Sequence, residues 1–141
     1  MDKFKEIRPI VLGIAKKDNK ILVSEGYDKN KNETFYRSIG GGIEFLEMSK
    51  DALKREFKEE LNVDINVGEF LGISENIFTY NGKNGHELIL FYNVDINDSG
   101  YKEKYHIIDD NCENDAVWVD IDKFVNGELK IYPQEIFKYL K

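Results

Sequence analysis

Three glutamates near the middle of the chain, Glu56, Glu59 and Glu60, have types and spacing that could do chemistry together. Residues three and four positions apart on a helix are neighbours, with about 5–6 Å between their Cβ atoms. Like charges at this spacing repel, and each pair costs a few tenths of a kcal/mol. Two interpretations stay open. The patch is a solvated acidic surface, partly offset by Arg55 and nearby lysines, or it is a set of hard oxygen ligands for Mg²⁺ or Mn²⁺.

A helix over Met48 to Leu61 is predicted to position these carboxylates. No Gly or Pro interrupts this stretch, and Ala, Leu, Lys and Glu dominate it. Leu53, Phe57 and Leu61 recur every fourth residue and form an apolar stripe, which we expect to face a sheet. The glutamates lie on the flank of this stripe, and the lysines of the helix lie on the far, solvated side.

A run of three glycines, Gly40-Gly41-Gly42, precedes the predicted helix. Glycine allows close backbone approach and unusual φ/ψ angles, so this run could place backbone groups beside a ligand. Alone it is a weak signal, because a triple glycine also makes an ordinary turn. Joined to the helix it forms one spaced pattern, which reads Gly41, five residues, Glu47, seven residues, then the segment Arg55–Val63.

This pattern resembles the Nudix box, whose form is Gly, five residues, Glu, seven residues, Arg-Glu, apolar, any, Glu-Glu, any, Gly, apolar. Every defined position matches except one, because Asn62 stands where the family has Gly. That position follows the helix and favours a left-handed backbone, for which Asn is the next best residue. At residue frequencies of about 5–7%, a chance match with one mismatch has odds on the order of one in ten thousand or rarer.

The other predicted elements agree with the fold that this resemblance implies. Predicted strands span Ile7–Ala15, Ile21–Ser24, Phe35–Ile39, Val63–Val67, Phe70–Tyr80, Glu87–Ile96 and Ala116–Ile121. A polar loop, a hairpin turn and two short helices are predicted over Tyr27–Thr34, Asn81–Gly85, Asp120–Val125 and Pro133–Leu140. This mixture indicates an α/β protein with a mixed sheet, and the Nudix fold is an α/β/α sandwich.

Composition limits the class of protein further. A chain of 141 residues with a hydrophobic fraction of 41% and no internal repeat or linker predicts a single Nudix domain over residues 1–141. One cysteine, Cys112, excludes an internal disulfide, and two histidines with one cysteine cannot build a structural zinc site. The apolar stretch Ile10 to Ala15 is too short for a membrane span or a convincing signal peptide. We therefore expect a cytoplasmic protein with no membrane partner.

The charge balance bears on the ligand. The chain has 20 Lys and Arg against 27 Asp and Glu, a formal net charge of −7. Such a chain is a poor candidate for a nucleic-acid polymer, whose counterions Lys and Arg must replace. A small anionic ligand could still bind if a divalent metal supplies positive charge. We expect a small-molecule nucleotide as the partner, with a homodimer as one possible assembly.

The resemblance implies hydrolysis of a nucleoside diphosphate linked to another group, with Mg²⁺ or Mn²⁺ as the cofactor. By match to the motif, Glu56, Glu59 and Glu60 are the metal ligands, assisted by a backbone carbonyl at Gly40 or Gly41. Cations are needed because the diphosphate repels an anionic nucleophile. They neutralise the phosphate oxygens and lower the pKa of the attacking water.

Two further roles follow from the resemblance. Arg55 and Glu47 match the structural ion pair that braces the loop against the helix, although Arg55 could instead pair with Glu59 one turn later. The general base is either a glutamate of the box or an acid on a later element. Outside the box, the candidates are Glu113 and Glu87.

Other classes of protein stay open as alternatives. A non-catalytic, nucleotide-sensing Nudix domain usually carries eroded box glutamates and an appended DNA-binding domain, and this sequence shows neither. An isomerase of the isopentenyl diphosphate type needs a catalytic cysteine, whereas Cys112 lies in a polar stretch. In a structural or interaction domain the acidic helix would be only a surface. Pyrophosphatase activity on a panel of nucleotides would separate these classes.

Overall fold

Seven β-strands and two α-helices make up most of the computed structural model, which describes residues 5–108 and 113–140. The strands are β1 (Ile7–Lys17), β2 (Lys20–Asp28), β3 (Glu33–Gly42), β4 (Ile65–Tyr80), β5 (Lys83–Ile96), β6 (Lys104–Ile108) and β7 (Glu113–Asp120). The helices are α1 (Ser49–Leu61) and α2 (Ile121–Val125), and 3₁₀ helices span Asp98–Gly100 and Gln134–Tyr139.

The strands form one sheet in the order β4-β5-β1-β3-β2-β7-β6. β1 and β5 run parallel, with pairs from Ile7 and His86 to Ala15 and Val94. The other pairs of neighbouring strands are antiparallel. The prediction of a mixed sheet is confirmed.

β1 is buried on both faces, which explains its continuous apolar sequence. Ile10, Leu12 and Ile14 pack into one cluster with α2 and the 3₁₀ helix near the C-terminal end. Val11 and Ala15 point to the opposite face and pack into a second cluster with α1. Helices therefore cover both faces of the sheet, and the predicted α/β/α sandwich is confirmed.

α1 packs on the sheet through the stripe that its sequence predicts. Leu53 and Phe57 are 0% exposed and Leu61 is 4% exposed. A Cβ on Gly13 of β1 would lie 2.9 Å from the Phe57 ring, so the glycine lets the ring lie close against the strand. Within the described ranges, no helix has both the length and the apolar content that crossing a bilayer requires.

α1 ends at Leu61 as the sequence predicts, and Asn62 caps it. Asn62 has φ 56° and ψ 40°, the left-handed conformation, and its backbone N–H donates to the carbonyl of Lys58. Asn is among the few non-glycine residues that adopt this conformation readily. The departure from the motif is therefore compatible with the same helix end.

The predicted loop over Tyr27–Thr34 is wrong at both ends. β2 continues to Asp28 and β3 begins at Glu33, so only four residues make the turn. The turn is tight because the carboxylate of Asp28 accepts hydrogen bonds from the backbone N–H groups of Asn30 and Lys31, at 2.9 and 3.1 Å.

Other element boundaries also differ from prediction. The two strands predicted between Val63 and Tyr80 are one strand, β4, whose register shifts near Phe70 by local bulges. The following turn is shorter than predicted, since β5 already begins at Lys83. β6 was not predicted, and the helix predicted over Pro133–Leu140 is the 3₁₀ helix described above.

Candidate active site

The glycine run ends β3 and brings it close to α1. Gly41 pairs with Val11 of β1, and its missing side chain faces the helix. A Cβ on Gly41 would lie 2.5 Å from Cδ of Glu56 and 2.6 Å from its Oε1. Real Cβ atoms essentially never approach this closely, so glycine is required for the Glu56 carboxylate to lie against the strand.

Arg55 ties three parts of the site together. Its Nε and Nη2 donate to the two carboxylate oxygens of Glu47 at 2.8 and 2.9 Å. The same Nη2 donates to the carbonyl of Gly42 at 2.9 Å. Because a bidentate guanidinium–carboxylate pair fixes both groups in one plane, Arg55 joins α1, the loop before it and the end of β3.

This ion pair strongly stabilises the charged form of Glu47. The hydrogen bonds from Arg55 and from the backbone N–H of Glu44 lower the pKa of Glu47 from 4.5 to about 2. The Glu47 hydrogen bond in turn raises the pKa of Arg55. Both groups are charged at neutral pH, and the brace is an ion pair.

The alternative pairing of Arg55 with Glu59 is also present. Nη1 of Arg55 lies 3.0 Å from Oε1 of Glu56 and 3.3 Å from Oε2 of Glu59. The bonds to Glu47 are shorter and the Glu59 side chain is 59% exposed, so the pair with Glu47 is the better fixed of the two. One guanidinium thus offsets the repulsion among carboxylates that the sequence predicts.

Glu56 is a mostly buried carboxylate on this face of α1. Its side chain is 14% exposed, and burial raises its pKa although Arg55 partly opposes the shift. Glu60 and Glu59 line a second cavity, together with Lys102, Lys104 and other residues at the start of β6. Glu56 instead lies against Gly41, so the structure places the three glutamates in two different surroundings.

The donor set fits a divalent cation in its chemistry. As placed, no three His, Cys, Asp or Glu side chains within residues 5–108 and 113–140 converge as a metal site, and Arg55 contacts the oxygens of Glu56 and Glu59. The groups are nevertheless carboxylate oxygens, the ligands that Mg²⁺ and Mn²⁺ prefer. Among them, the Glu56 carboxylate lies in a space that only a glycine leaves open. A bound cation would offset the cost of burying that charge.

A separate cavity of about 330 Å³ is connected to the glycine run through Arg8. Arg8 lines it, and Nη2 of Arg8 lies 3.3 Å from where a Cβ on Gly42 would be. Since the carbonyl of Gly42 accepts a hydrogen bond from Arg55, Gly42 lies between the cavity and the carboxylates. The aromatic residues that line the cavity are Phe35, Phe78, Tyr80 and Tyr132.

The candidate bases outside the box lie in different surroundings. Glu87 lines the cavity, is 3% exposed, and accepts a hydrogen bond from Nη2 of Arg37 at 2.8 Å. Glu113 begins β7, with its backbone paired to Ile108. Cys112 lies outside the described residues.

Sequence reasoning missed the contribution of Arg8 and the pairing of Glu87. Nη1 of Arg8 lies 4.0 Å from Oε2 of Glu87, so this carboxylate faces two guanidinium groups. Arg8 and Glu87 are direct partners in the parallel ladder of β1 and β5. One signal was available, because the sequence has only three arginines and all of them lie at this site or its cavity.

Comparison with known proteins identifies the family of this chain. The family model for the NUDIX domain matches residues 6–140. A CTP pyrophosphohydrolase from Escherichia coli K12 is 32% identical over 62 residues. That match covers 44% of this chain and 46% of the relative, so it spans less than half the length of either.

Solved structures share the fold at low sequence identity. A NUDIX hydrolase from Nitrosomonas europaea superposes with a TM-score of 0.68 at 18% identity, covering 94% of this chain and 85% of that one. A MutT protein from Methanosarcina mazei Go1 gives a TM-score of 0.65 at 16% identity, covering 99% and 95%. These structures share the fold, and the family match over nearly the whole sequence shows that the chain belongs to the Nudix domain family.

Proposed function

We propose that this chain hydrolyses a diphosphate bond in a small nucleotide, in a reaction that depends on a divalent metal. The observation that carries the proposal is the Glu56 carboxylate, held against Gly41 beside the Arg55–Glu47 brace. The match to part of a CTP pyrophosphohydrolase supports the same type of reaction.

The carboxylates of Glu56, Glu59 and Glu60 are the proposed ligands of Mg²⁺ or Mn²⁺, with a backbone carbonyl of Gly40 or Gly41. A metal held by these residues would neutralise phosphate oxygens and lower the pKa of the attacking water. The bidentate bonds of Arg55 to Glu47 involve none of these ligands. Its contacts with Glu56 Oε1 at 3.0 Å and Glu59 Oε2 at 3.3 Å use oxygens that a metal would share or take over.

The general base in this proposal is a glutamate of the box or Glu113. Glu87 is a poorer candidate because it is buried in the cavity and already paired with Arg37.

The cavity is the proposed site of the nucleoside. Its aromatic rings lie close together, with ring centroids of Phe35 and Tyr80 at 5.7 Å and of Phe35 and Tyr132 at 5.8 Å. A wall of aromatic rings suits a planar base. The net charge of −7 argues against a nucleic-acid polymer as the substrate. A cytoplasmic location, one domain over residues 1–141 and a possible homodimer remain parts of this proposal.

The test is a hydrolysis assay on nucleoside triphosphates and nucleoside diphosphate derivatives, with Mg²⁺ or with EDTA, scored by product identity. We expect a nucleoside monophosphate as one product, only with metal. Glu60→Gln should lower turnover by a factor on the order of 10²–10⁵, whereas Asp51→Asn, on the exposed first turn of the same helix, should not. Absence of hydrolysis across the panel, or equal activity of the two variants, would reject the proposal and favour a non-catalytic sensor.

A further inference from the structure

The cavity contains a buried carboxylate between two arginines. Glu87 on β5 lies 2.8 Å from Arg37 on β3 and 4.0 Å from Arg8 on β1. The Glu87 side chain is 4% exposed, whereas those of Arg37 and Arg8 are 29% and 38% exposed. The acid is therefore inside the protein, and the two guanidinium groups open towards the cavity.

This cluster carries one more positive than negative charge. Among the described residues, the guanidinium of Arg37 makes a single hydrogen bond, to Glu87, and Arg8 comes no closer than 4.0 Å to an acid. A guanidinium has five N–H donors. Most of the donors of both groups are thus available to a ligand, while Glu87 fixes the position of the Arg37 head.

The other buried or half-buried acids of the cavity already have partners in the protein. Asp28 accepts hydrogen bonds from its own turn. Glu33 accepts them from Lys130 at 2.7 Å and from Tyr132 at 3.0 Å. The cavity therefore offers an anion two arginines with free donors, with most of the nearby negative charge already compensated.

The position of the cluster also suits an anionic part of a ligand. Arg8 lies against Gly42, whose carbonyl accepts a hydrogen bond from Arg55. An anionic group bound there would lie next to the aromatic part of the cavity, and Arg8 connects this position to the end of the glycine run. A 5′-phosphate attached to a nucleoside has this arrangement of charge and ring.

We propose that Arg37, positioned by Glu87 and assisted by Arg8, binds the phosphate of the nucleoside monophosphate half of the substrate. This inference rests on the proposed function in one respect, because it takes that phosphate to be on one side of the bond that is hydrolysed. The contact does not involve the metal, so it should give the chain a measurable preference for nucleoside monophosphates over nucleosides in EDTA.

The test is calorimetric titration in EDTA of the four ribonucleoside 5′-monophosphates and of their nucleosides. For at least one base, we expect the monophosphate to bind about tenfold or more tightly than its nucleoside. Arg37→Gln should reduce this ratio to near one without changing nucleoside affinity. Lys31→Gln is the matched control, because Lys31 lines the same cavity, carries the same charge and has no contact with Glu87.

Two additional variants help to distinguish a loss of phosphate binding from a loss of the fold. Arg37→Lys keeps the charge beside Glu87 but loses the planar fork, and it should give an intermediate ratio. Arg8→Gln leaves the shorter Arg37–Glu87 pair intact and should lower the ratio in part. Thermal unfolding of each variant shows whether a lost ratio reflects lost structure.

The outcomes separate this inference from the proposed function. Hydrolysis with no preference for monophosphate over nucleoside, or equal losses in Arg37→Gln and Lys31→Gln, would overturn the inference alone. A preference that depends on Arg37 without any hydrolysis would support the phosphate site and overturn the proposed reaction.

Discussion

The carboxylate of Glu56 occupies the space that a side chain on Gly41 would need, since a Cβ there would lie 2.5 Å from Cδ of Glu56. The two residues come from different elements, the end of β3 and the middle of α1. This contact gives a physical reason why a glycine and a glutamate separated by a fixed spacing belong to one motif. The glycine is needed for space at this position.

Gly41→Ala should lower catalytic activity while leaving stability nearly unchanged. The atoms that a methyl group would meet are the far end of the flexible Glu56 side chain, which can rotate away, so unfolding free energy should change by less than about 1 kcal/mol. The displaced carboxylate should lower turnover by roughly a hundredfold. Gly100→Ala is the control, because a Cβ there meets only ordinary contacts from 3.4 Å. Normal turnover in Gly41→Ala would show that the position of Glu56 does not matter.

The Glu47–Arg55 pair predicts a pH dependence of stability. The pKa of Glu47 is lowered from 4.5 to about 2 in the folded protein, so the pair stabilises the fold fully above pH 4.5. Its contribution is lost as the pH falls towards 2, when Glu47 becomes protonated. Glu47→Gln lacks the contribution at every pH. The difference in Tm between wild type and this variant should be largest above pH 4.5 and should shrink towards pH 2.

Thermal melts of both proteins across this pH range provide the measurement. A difference in Tm that stays constant from pH 6 to pH 2.5 would contradict the ion-pair account. It would indicate that the substitution acts through packing alone.

Asn62→Gly should leave stability nearly unchanged. At φ 56° and ψ 40°, glycine avoids the steric cost of a side chain but loses more entropy on folding. We expect a change within a few tenths of a kcal/mol, on the stabilising side of zero. Asn62→Ala should instead cost about 1 kcal/mol. Urea unfolding measures both, and a loss above about 1 kcal/mol in the glycine variant would contradict the helix-end interpretation.

Local patterns in the sequence were sufficient to predict α1 and its apolar stripe. The stripe of Leu53, Phe57 and Leu61 depends only on residues within one helix, and all three are buried. β1 was also predictable from a local pattern, since its residues form a continuous apolar run. The predicted mixed sheet and sandwich followed from the order of such elements.

Contacts between distant residues were not predictable in this way. β6 is short and contains Lys104 and His106, so its alternation with buried Tyr105 and Ile107 gives only a weak signal. The burial of Glu87 depends on Arg37, which is 50 positions away in the chain. No local pattern distinguishes this glutamate from a solvated acid at the end of a strand.

The carboxylates of α1 are the proposed ligands of the metal. We would test this claim by Mn²⁺ binding, measured by electron paramagnetic resonance with a non-hydrolysable nucleotide, for wild type, Glu56→Gln, Glu60→Gln and Asp51→Asn. We predict that each glutamate variant weakens Mn²⁺ binding by about tenfold or more, while Asp51→Asn binds like wild type. Equal Mn²⁺ affinity in all four proteins would contradict the claim.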